Sequence, residues 1–503
     1  MWFFLLILYY MHTLLSHQAP REPECIDAAA LASRFCRCAD FMQRHIDAGL
    51  DPARPLILCW LDGLVSGREL AETLLYPLTD AGRAAGSGEA LKKRLLAGGV
   101  CAWSVKDCSS LDELSRSLSC GCCALIFGGA LGALCFELRA QNGRAVGEPN
   151  LEKSVKGAKD AFVETLRVNT ALLRRRLATP QLKLIEGSIG RRSATNVALM
   201  YLEGVANAAL VNECARRLDA MDIDALLSLG PLEEALADAP RSPFPQLLHT
   251  ERPDRFAMHL SDGRVGLLVD GLPVGLVLPT TLTEFMKVSS DRSQHHLISS
   301  SLSLLRYLAL LIALLLPGLY VAMASFHQEM IPTRLLLSMI EAKQKVPFST
   351  ALEVLGMMLA FLMLQEAGLR LPGPMGDTVS IIGALIVGQA AVDARVVSPI
   401  AIIVVAAAGI ACYSLPSQDL AAALRLWSLG LLLAAALAGL YGVGLGCCLF
   451  LWHLCGIESF GRSYTAPLSD DGPGLRRTLL RRPQWSIKLR DALLNTPDRR
   501  RQK

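Results

Sequence analysis

The sequence lacks the motifs on which most catalytic and nucleotide-binding sites depend. Its nine histidines include no His-x-x-x-His pair, and no paired acidic motif lies on a common predicted face. No glycine-rich loop is placed to cradle a phosphate. We therefore expect no hydrolase, kinase or other enzyme, and neither a metal nor a cofactor.

Zinc-binding spacing is also missing, although the chain has 15 cysteines. Cys120 and Cys123 form a lone Cys-x-x-Cys, without a second pair or a histidine pair at the separation that zinc sites use. We interpret the cysteines as reduced, buried or incidental thiols of a cytosolic domain. Metal or redox chemistry is the alternative.

The start of the chain lacks the features of a signal peptide. Its first fifteen residues are apolar, but too few for a comfortable membrane span, and no positive region or small-residue cleavage site accompanies them. Residues 1–22 are therefore a segment of uncertain role, either a membrane-dipping anchor or an unusual start.

Apolar residues are plentiful, at 52% of the 503, and charge is unevenly distributed. From Arg462 to the end there are 11 Lys/Arg against 4 Asp/Glu, a net charge of +7, whereas the whole chain carries +4. The positive-inside rule places this basic tail, residues 461–503, on the cytoplasmic side, where it could contact anionic lipid headgroups.

Helical patterns alternate with short β-rich runs before the apolar half, which predicts a soluble α/β head of two lobes, residues 23–150 and 151–287. In the first lobe we expect a strand over Val100–Val105, a helix over Leu111–Leu118 and a two-residue hairpin turn at Gly128-Gly129. A second hairpin turns at Asp270-Gly271, and Gly129 precedes Gly271 by 142 residues. The two lobes either share a plan or carry unrelated hairpins.

Between these hairpins, a predicted helix ends near Leu177 with Arg174, Arg175 and Arg176 in its last turn. Cations there complement the helix dipole. We favour a solvated face or a partner contact over a nucleotide or nucleic-acid site.

Residues 288–460 are predicted to be an all-α polytopic membrane domain with short and broken helices. Long apolar runs cover Leu302–Phe326, Phe348–Leu364, Pro399–Leu415 and Leu426–Leu454. A soluble head and a basic tail on one side require an even number of crossings. We expect four full spans plus short broken elements, with five or six as alternatives.

One polar, proline-rich stretch, Gln365–Pro399, interrupts this apolar half. Charged residues inside membrane regions by default suggest a functional site. The residues that we predict to line a conduit or gate are Glu366, Arg370, Ser380 and Gln389, joined by Glu329 from an earlier segment. The predicted backbone breaks are Pro317, Pro332, Pro372, Gly376, Gly383, Gly388 and Pro399. The alternative is structural: an interfacial ion pair between Glu366 and Arg370, with the glycines as packing contacts.

Several strings, in the right order, resemble the GerA family of spore germination proteins, A-type subunit. They are FVETLRVNTALLRRRL, TERPD, VDGLPVGLVLP, FHQEMIPTRLLLSM and EAGLRLPGPMGDTVSIIGALIVGQAAVDARVVSP. The resemblance covers roughly Val155 to Pro467. This sequence departs from the family in places; Gln365 stands where the family usually has Arg.

The resemblance implies a multi-pass subunit of a nutrient germinant receptor in the spore inner membrane, with head and tail cytosolic. It implies a transporter-like B-type subunit and a lipoprotein C-type subunit as partners, a homo-oligomer in the bilayer, no nucleic acid, and ion release when nutrient binds. The alternatives are a stage V sporulation AF-type accessory subunit, a solute transporter and a non-conducting signalling scaffold.

Overall fold

Two α/β lobes precede a bundle of membrane helices in the computed structural model. The structure describes residues 26–47, 56–98, 100–101, 103–127, 131–139, 147, 149, 152, 156–344, 346–370, 388–468 and 479–502. The fold class predicted from the sequence, a two-lobed head before a helical membrane domain, is confirmed.

Lobe 1 is a five-stranded antiparallel sheet with helices on both faces. A π-helical turn, Ala71–Leu75, joins its second and third helices. Its elements in chain order are α1 Ala28–Arg34, β1 Phe41–Ile46, β2 Leu56–Leu61, α2 Gly67–Leu70, α3 Tyr76–Ala85, α4 Gly88–Leu96, β3 Val105–Cys108, α5 Leu111–Ser119, β4 Cys123–Ile126 and β5 Ala133–Phe136.

Lobe 2 has the same construction, and its core continues into the membrane domain. Its elements are α6 Leu166–Arg176, β6 Leu182–Ile189, β7 Thr195–Leu202, α7 Ala208–Asp219, α8 Gly230–Leu236, β8 Leu248–Thr250, α9 Pro253–Asp262, β9 Val265–Val269, β10 Gly275–Leu278 and α10 Leu282–Phe285.

The strand order confirms that the two lobes share a plan. It is β1-β2-β4-β5-β3 in lobe 1 and β6-β7-β9-β10-β8 in lobe 2. The two hairpins found in the sequence, β4–β5 and β9–β10, occupy equivalent places and are both antiparallel. The shared hairpin spacing was therefore the trace of a repeated fold.

Two local predictions in lobe 1 are wrong. The strand begins at Val105 and does not cover Val100–Val105, because Val105 already pairs with Phe136, the last residue of β5, and earlier residues have no strand opposite. The β4–β5 turn is longer than two residues, since the Phe127 N–H donates to the Gly132 carbonyl. Gly128 and Gly129 themselves lie outside the described residues.

The arginines at the end of α6 join the lobes. Arg174 is not on a solvated face: its side chain is 1% exposed, and its Nε and Nη2 each donate to Asp40 of lobe 1 over 2.8 Å. Its Nη1 donates to the Leu182 carbonyl at 2.7 Å. Arg176 instead pairs with Asp160 in a part-exposed setting. The expectation of a solvated face is thus wrong for Arg174, because Asp40 follows it into the interior and neutralises its charge.

Five helices form the membrane domain: α11 His296–Ser325, α12 Thr333–Lys343, α13 Thr350–Arg370, α14 Pro399–Tyr413 and α15 Gln418–Cys455. Among the described residues three helices are long and apolar enough to cross a membrane, namely α11, α13 as far as Ala367, and α15; α14 is shorter. Helix α12, between α11 and α13, has no buried residue and lies outside the bundle.

The last apolar run is not one span, as Leu426–Leu454 was expected to be. Helical geometry breaks at Ala438 and Gly439, where Gly439 has φ +57° and ψ −139°. The chain reverses there, so that Gly446 contacts Leu431 and the ring of Phe450 lies 5.3 Å from that of Trp427. Helix α15 is therefore a hairpin of two arms, residues 418–437 and 440–455. The first arm, at 1.5 Å per residue, measures about 30 Å, the thickness of a hydrocarbon core.

The end of the chain packs on lobe 2 and on the start of α11. Arg481 donates to the carbonyls of Asp291 and Gln294, and its backbone N–H donates to Ser300. Further along, Arg501 pairs with Asp262 at 2.8 Å. Residues 479–502 thus hold the tail on the same side of the bundle as the head.

Candidate functional site

Lobe 2 grips the first arm of the α15 hairpin through a histidine between two carboxylates. His249 of β8 has its Nε2 2.9 Å from Glu233 of α8 and its Nδ1 3.5 Å from Asp419, in the first turn of α15. Burial lowers the pKa of His249, but Glu233 and Asp419, with a smaller effect from Glu152, outweigh it, so the pKa lies above its ordinary value. A protonated His249 therefore ties the head to the membrane helix.

Lobe 2 also grips the end of the second arm. His453 Nε2 lies 2.9 Å from the Ser242 hydroxyl, and the ring of Phe244 lies 5.9 Å from that of Phe450. Just beyond, Ser459 accepts a hydrogen bond from the Thr280 N–H at 3.2 Å. One lobe of the head thus holds both ends of the hairpin.

Small residues let the two arms approach closely. A Cβ added at Gly442 would lie 2.1 Å from the Ala434 carbonyl oxygen, and one at Gly446 would lie 2.5 Å from Leu431 Cδ2. At the turn, a Cβ on Gly439 would meet Phe326 and His327, which follow α11. The arms are therefore too tightly packed to move independently of each other.

A polar contact joins the hairpin to α13 beside a small cavity. Arg425, on the first arm, donates through Nη1 to Gln365 Oε1 and through Nε to the Ala421 carbonyl at 3.2 Å. The cavity has a volume of about 40 Å³, and its lining is otherwise mostly apolar. Ser428, also on its wall, has a buried hydroxyl without a hydrogen-bond partner among the described residues. A shift of the hairpin would change this contact directly.

A buried carboxylate lies at the opposite end of α13. Glu353 is 3% exposed, and its Oε2 accepts a hydrogen bond from the Ser398 N–H, at the N-terminus of α14, over 3.1 Å. Its Oε1 has no partner among the described residues. The Ser398 hydroxyl caps α14 and lies within reach of Tyr320 of α11. Three membrane helices therefore meet at one ionisable group, which the positive end of the α14 dipole favours in its charged form.

The residues predicted from the sequence are spread over both ends of the bundle. Glu366 is an exposed residue of α13, one position beyond Gln365, and Arg370 ends that helix. Glu329 lies in the 3₁₀ turn Gln328–Met330 after α11, at the hairpin-turn end. Gln389 is exposed in a short helical segment, residues 388–393. Ser380 lies outside the described residues.

The predicted backbone breaks have several roles. Pro317 lies inside α11, buried, and the next residue, Gly318, faces the Leu431 carbonyl. Pro332 precedes α12, Gly388 starts the 388–393 segment and Pro399 opens α14. The remaining ones, outside the described residues, are Pro372, Gly376 and Gly383.

Sequence reasoning missed Glu353, Arg425 and the residues that hold the hairpin. Glu353 and Arg425 carried a usable signal, a charge within or beside an apolar run. His249 carried none, because its partners Glu233 and Asp419 are brought to it only by the docking of lobe 2 on α15.

Fold and junction define a class of protein: a membrane protein whose repeated α/β head docks, through its second lobe, on both ends of a transmembrane hairpin. The chain belongs to the family described as Bacillus/Clostridium GerA spore germination protein, whose model matches residues 29–493.

Characterised relatives match nearly the whole chain. Spore germination protein B1 of Bacillus subtilis (strain 168) is 35% identical over 477 residues, which are 92% of this chain and 96% of the relative. Spore germination protein KA of the same organism is 35% identical over 468 residues, 92% and 85% of the two chains. The crystal structure of the N-terminal domain of the A subunit of the Bacillus megaterium spore germinant receptor GerK3 aligns with 52% of this chain and 98% of that one, at 28% identity and a TM-score of 0.41.

Proposed function

We propose that this chain is the A-type membrane subunit of a spore germinant receptor and takes part in ion release across the spore inner membrane when nutrient binds. The relatives that match over most of its length are named as spore germination proteins. The observation that carries the mechanism is the grip of lobe 2 on both ends of α15, through His249 and Ser242.

In this mechanism the hairpin is the moving part. A displacement of lobe 2 is transmitted to Asp419 and His453 together, and the close packing at Gly442 makes the arms move as a unit. Arg425 moves with the first arm and leaves or changes its contact with Gln365. The polar groups near that end of α13, Glu366 and Arg370, then line the ion path, with Ser380, Gln389 and Glu329 as further polar groups along it.

The proposed receptor contains further chains. B-type and C-type germination subunits and additional copies of this subunit complete it, because one chain offers few crossings for a pore. The head and the basic tail face the spore core. No observation favours an AF-type accessory role, a solute transporter or a scaffold over the receptor function, so these are outcomes of the experiment.

The test is flux through the assembled complex in liposomes loaded with potassium. Nutrient should trigger potassium efflux from the unmodified complex, and Asp419→Asn combined with Ser242→Ala should lower triggered efflux at least tenfold without preventing assembly. The control is Ser414→Ala, an exposed position outside the junction, which should leave efflux unchanged.

Three outcomes would contradict the proposal. If flux survived Glu366→Ala, Arg370→Ala and Gln389→Ala unchanged, the conduit assignment would fail. Uptake of labelled nutrient without ion efflux would indicate a transporter. An assembled complex that passes neither would indicate a scaffold.

A further inference from the structure

Strand β6 forms one edge of the lobe 2 sheet, and its outer side is only partly used. We propose that this edge, with the groove between β6 and α7, binds an extended peptide segment of a partner protein as an additional β-strand. The occupant carries apolar side chains at alternate positions and a basic side chain at one end. The inference is independent of ion conduction.

The direction of the backbone groups follows from the register. β6 pairs with β7 from Leu182↔Leu202 to Ile189↔Thr195, and in an antiparallel ladder successive residues point their N–H and C=O to opposite sides. Leu184 points away from β7, because its N–H donates to the Arg37 carbonyl and its carbonyl accepts from the Ala39 N–H, each at 3.0 Å. Glu186 and Ser188 therefore point the same way.

No strand in the described part of the chain pairs with Glu186 and Ser188 on that side. Gly187 and Ser188 are exposed, and a Cβ on Gly187 would meet nothing within 4 Å. Residues Arg37–Ala39 of lobe 1 occupy the edge only at Leu184. The chain thus already uses strand addition on this edge, and the free portion continues directly from that contact.

Beside the free portion lies a groove of about 380 Å³. Its floor and walls are apolar on the strand side and on the helix side, with contributions from Ile185, Ile189, Leu199, Ala215, Leu218 and Met221. A strand edge beside a helix is the arrangement in which peptide-binding domains add a strand, with backbone hydrogen bonds for affinity and side-chain pockets for specificity. Alternate apolar side chains of an added strand would enter this groove.

The charges around the groove select the occupant. Glu186 is paired with Arg167, and Asp222 with Arg191, which leaves Asp219, at the C-terminus of α7, without an ion pair among the described residues. A carboxylate there and the negative end of the helix dipole favour a basic side chain. A second copy of β6 would instead bring Glu186 and Asp219 toward their own counterparts, which like charges disfavour.

The probe is a fluorescein-labelled heptapeptide, Lys-Val-Thr-Val-Thr-Val-Lys, titrated against the full chain in detergent and followed by anisotropy. Two further peptides carry N-methyl groups on the valines only or on the threonines only. Since one set of amides faces β6 and the other faces solvent, one methylated peptide should bind about tenfold more weakly and the other should bind like the parent.

Variants locate the site. Ser188→Pro removes one outward N–H, which an edge strand tolerates, and should weaken binding at least tenfold, whereas Ser188→Ala keeps the N–H and should not. Ala215→Leu fills the groove and should have the effect of Ser188→Pro should that variant fail to fold. Asp219→Lys should weaken binding several-fold more than Asp219→Asn.

Each contrary result would overturn the proposal. One is the absence of saturable binding below 1 mM peptide; another is equal binding of both methylated peptides. Binding that Ser188→Pro and Ala215→Leu leave unchanged would place the peptide elsewhere. If the protein sediments as an oligomer without peptide and Ser188→Pro dissociates it, the occupant is a second copy.

Discussion

The two lobes have one strand order and opposite surroundings. β3 of lobe 1 and β8 of lobe 2 are equivalent edge strands, and both are charged at the same point: Asp107 in β3 and His249 in β8, 142 residues apart. Asp107 meets Lys92 of its own lobe at 2.9 Å, whereas His249 reaches Asp419 of a membrane helix. A repeated topology thus supplies equivalent edges, and the side chains on each edge decide what it docks against.

The cores differ in the same way. Neither buried core of lobe 1 contains a membrane residue among those described. One core of lobe 2 runs without a break from Phe256 in the head to Phe450 and Leu454 in the hairpin. Lobe 1 therefore acts on the membrane domain through lobe 2, and the contact at Arg174 is one route.

The largest expected effect comes from separating the lobes. Arg174→Ala leaves Asp40 buried without its cation and should lower the free energy of unfolding by about 3–5 kcal/mol, measured by chemical denaturation of the full chain in detergent. Arg176→Ala, which removes a part-exposed pair with Asp160, is the matched control and should cost less than about 1 kcal/mol. Equal losses for the two variants would mean that the buried pair does not hold the lobes together.

The next effect concerns the hairpin that only lobe 2 holds. Gly442→Ala places a Cβ 2.1 Å from the Ala434 carbonyl and should cost about 1–3 kcal/mol. It should also change the fluorescence of Trp427, which packs on Phe450. The control is Gly444→Ala, where nothing lies within 4 Å. If Gly444→Ala were as harmful as Gly442→Ala, the arms would not be packed in this register.

A smaller effect is expected where the hairpin meets α13. Gln365→Arg places two guanidinium groups together and removes the acceptor of Arg425, at a cost of about 1–2 kcal/mol. The double variant Gln365→Arg, Arg425→Gln exchanges donor and acceptor and should recover most of that loss in thermal unfolding. A double variant no more stable than Gln365→Arg alone would contradict the pairing.

The repeat and the long helices could be predicted from the sequence because their signals are local. Hairpins 142 residues apart and apolar runs near Leu302 and Phe348 are visible without knowing what they contact. Gln365 could be identified as a departure from the family, but its partner Arg425 could not, since the pair forms only when α13 packs on α15.

The hairpin reversal could not be predicted for a different reason. Gly439 lies within a continuous apolar run beside three other glycines, Gly442, Gly444 and Gly446, so no polar residue or proline marks the turn. Its identity as the turning point depends on φ +57° and on the close contacts of Gly442, which are tertiary properties.

The smallest expected effect is the pH dependence of the His249 contact. Because its pKa is raised in the folded protein, the stabilisation is complete below the ordinary value of about 6.5 and is lost as pH rises through the folded value. His249→Gln should therefore cost about 0.5–1 kcal/mol at pH 5.5 and much less at pH 8.5. The difference between variant and parent is required, since burial lowers the pKa of His259 and makes that residue destabilising in acid, the opposite sign. Asp419→Asn should remove part of the same pH dependence, whereas Asp107→Asn, at the equivalent edge of lobe 1, should leave it intact. A variant-minus-parent difference that is flat from pH 5.5 to 8.5 would show that His249 does not hold the hairpin through its charge.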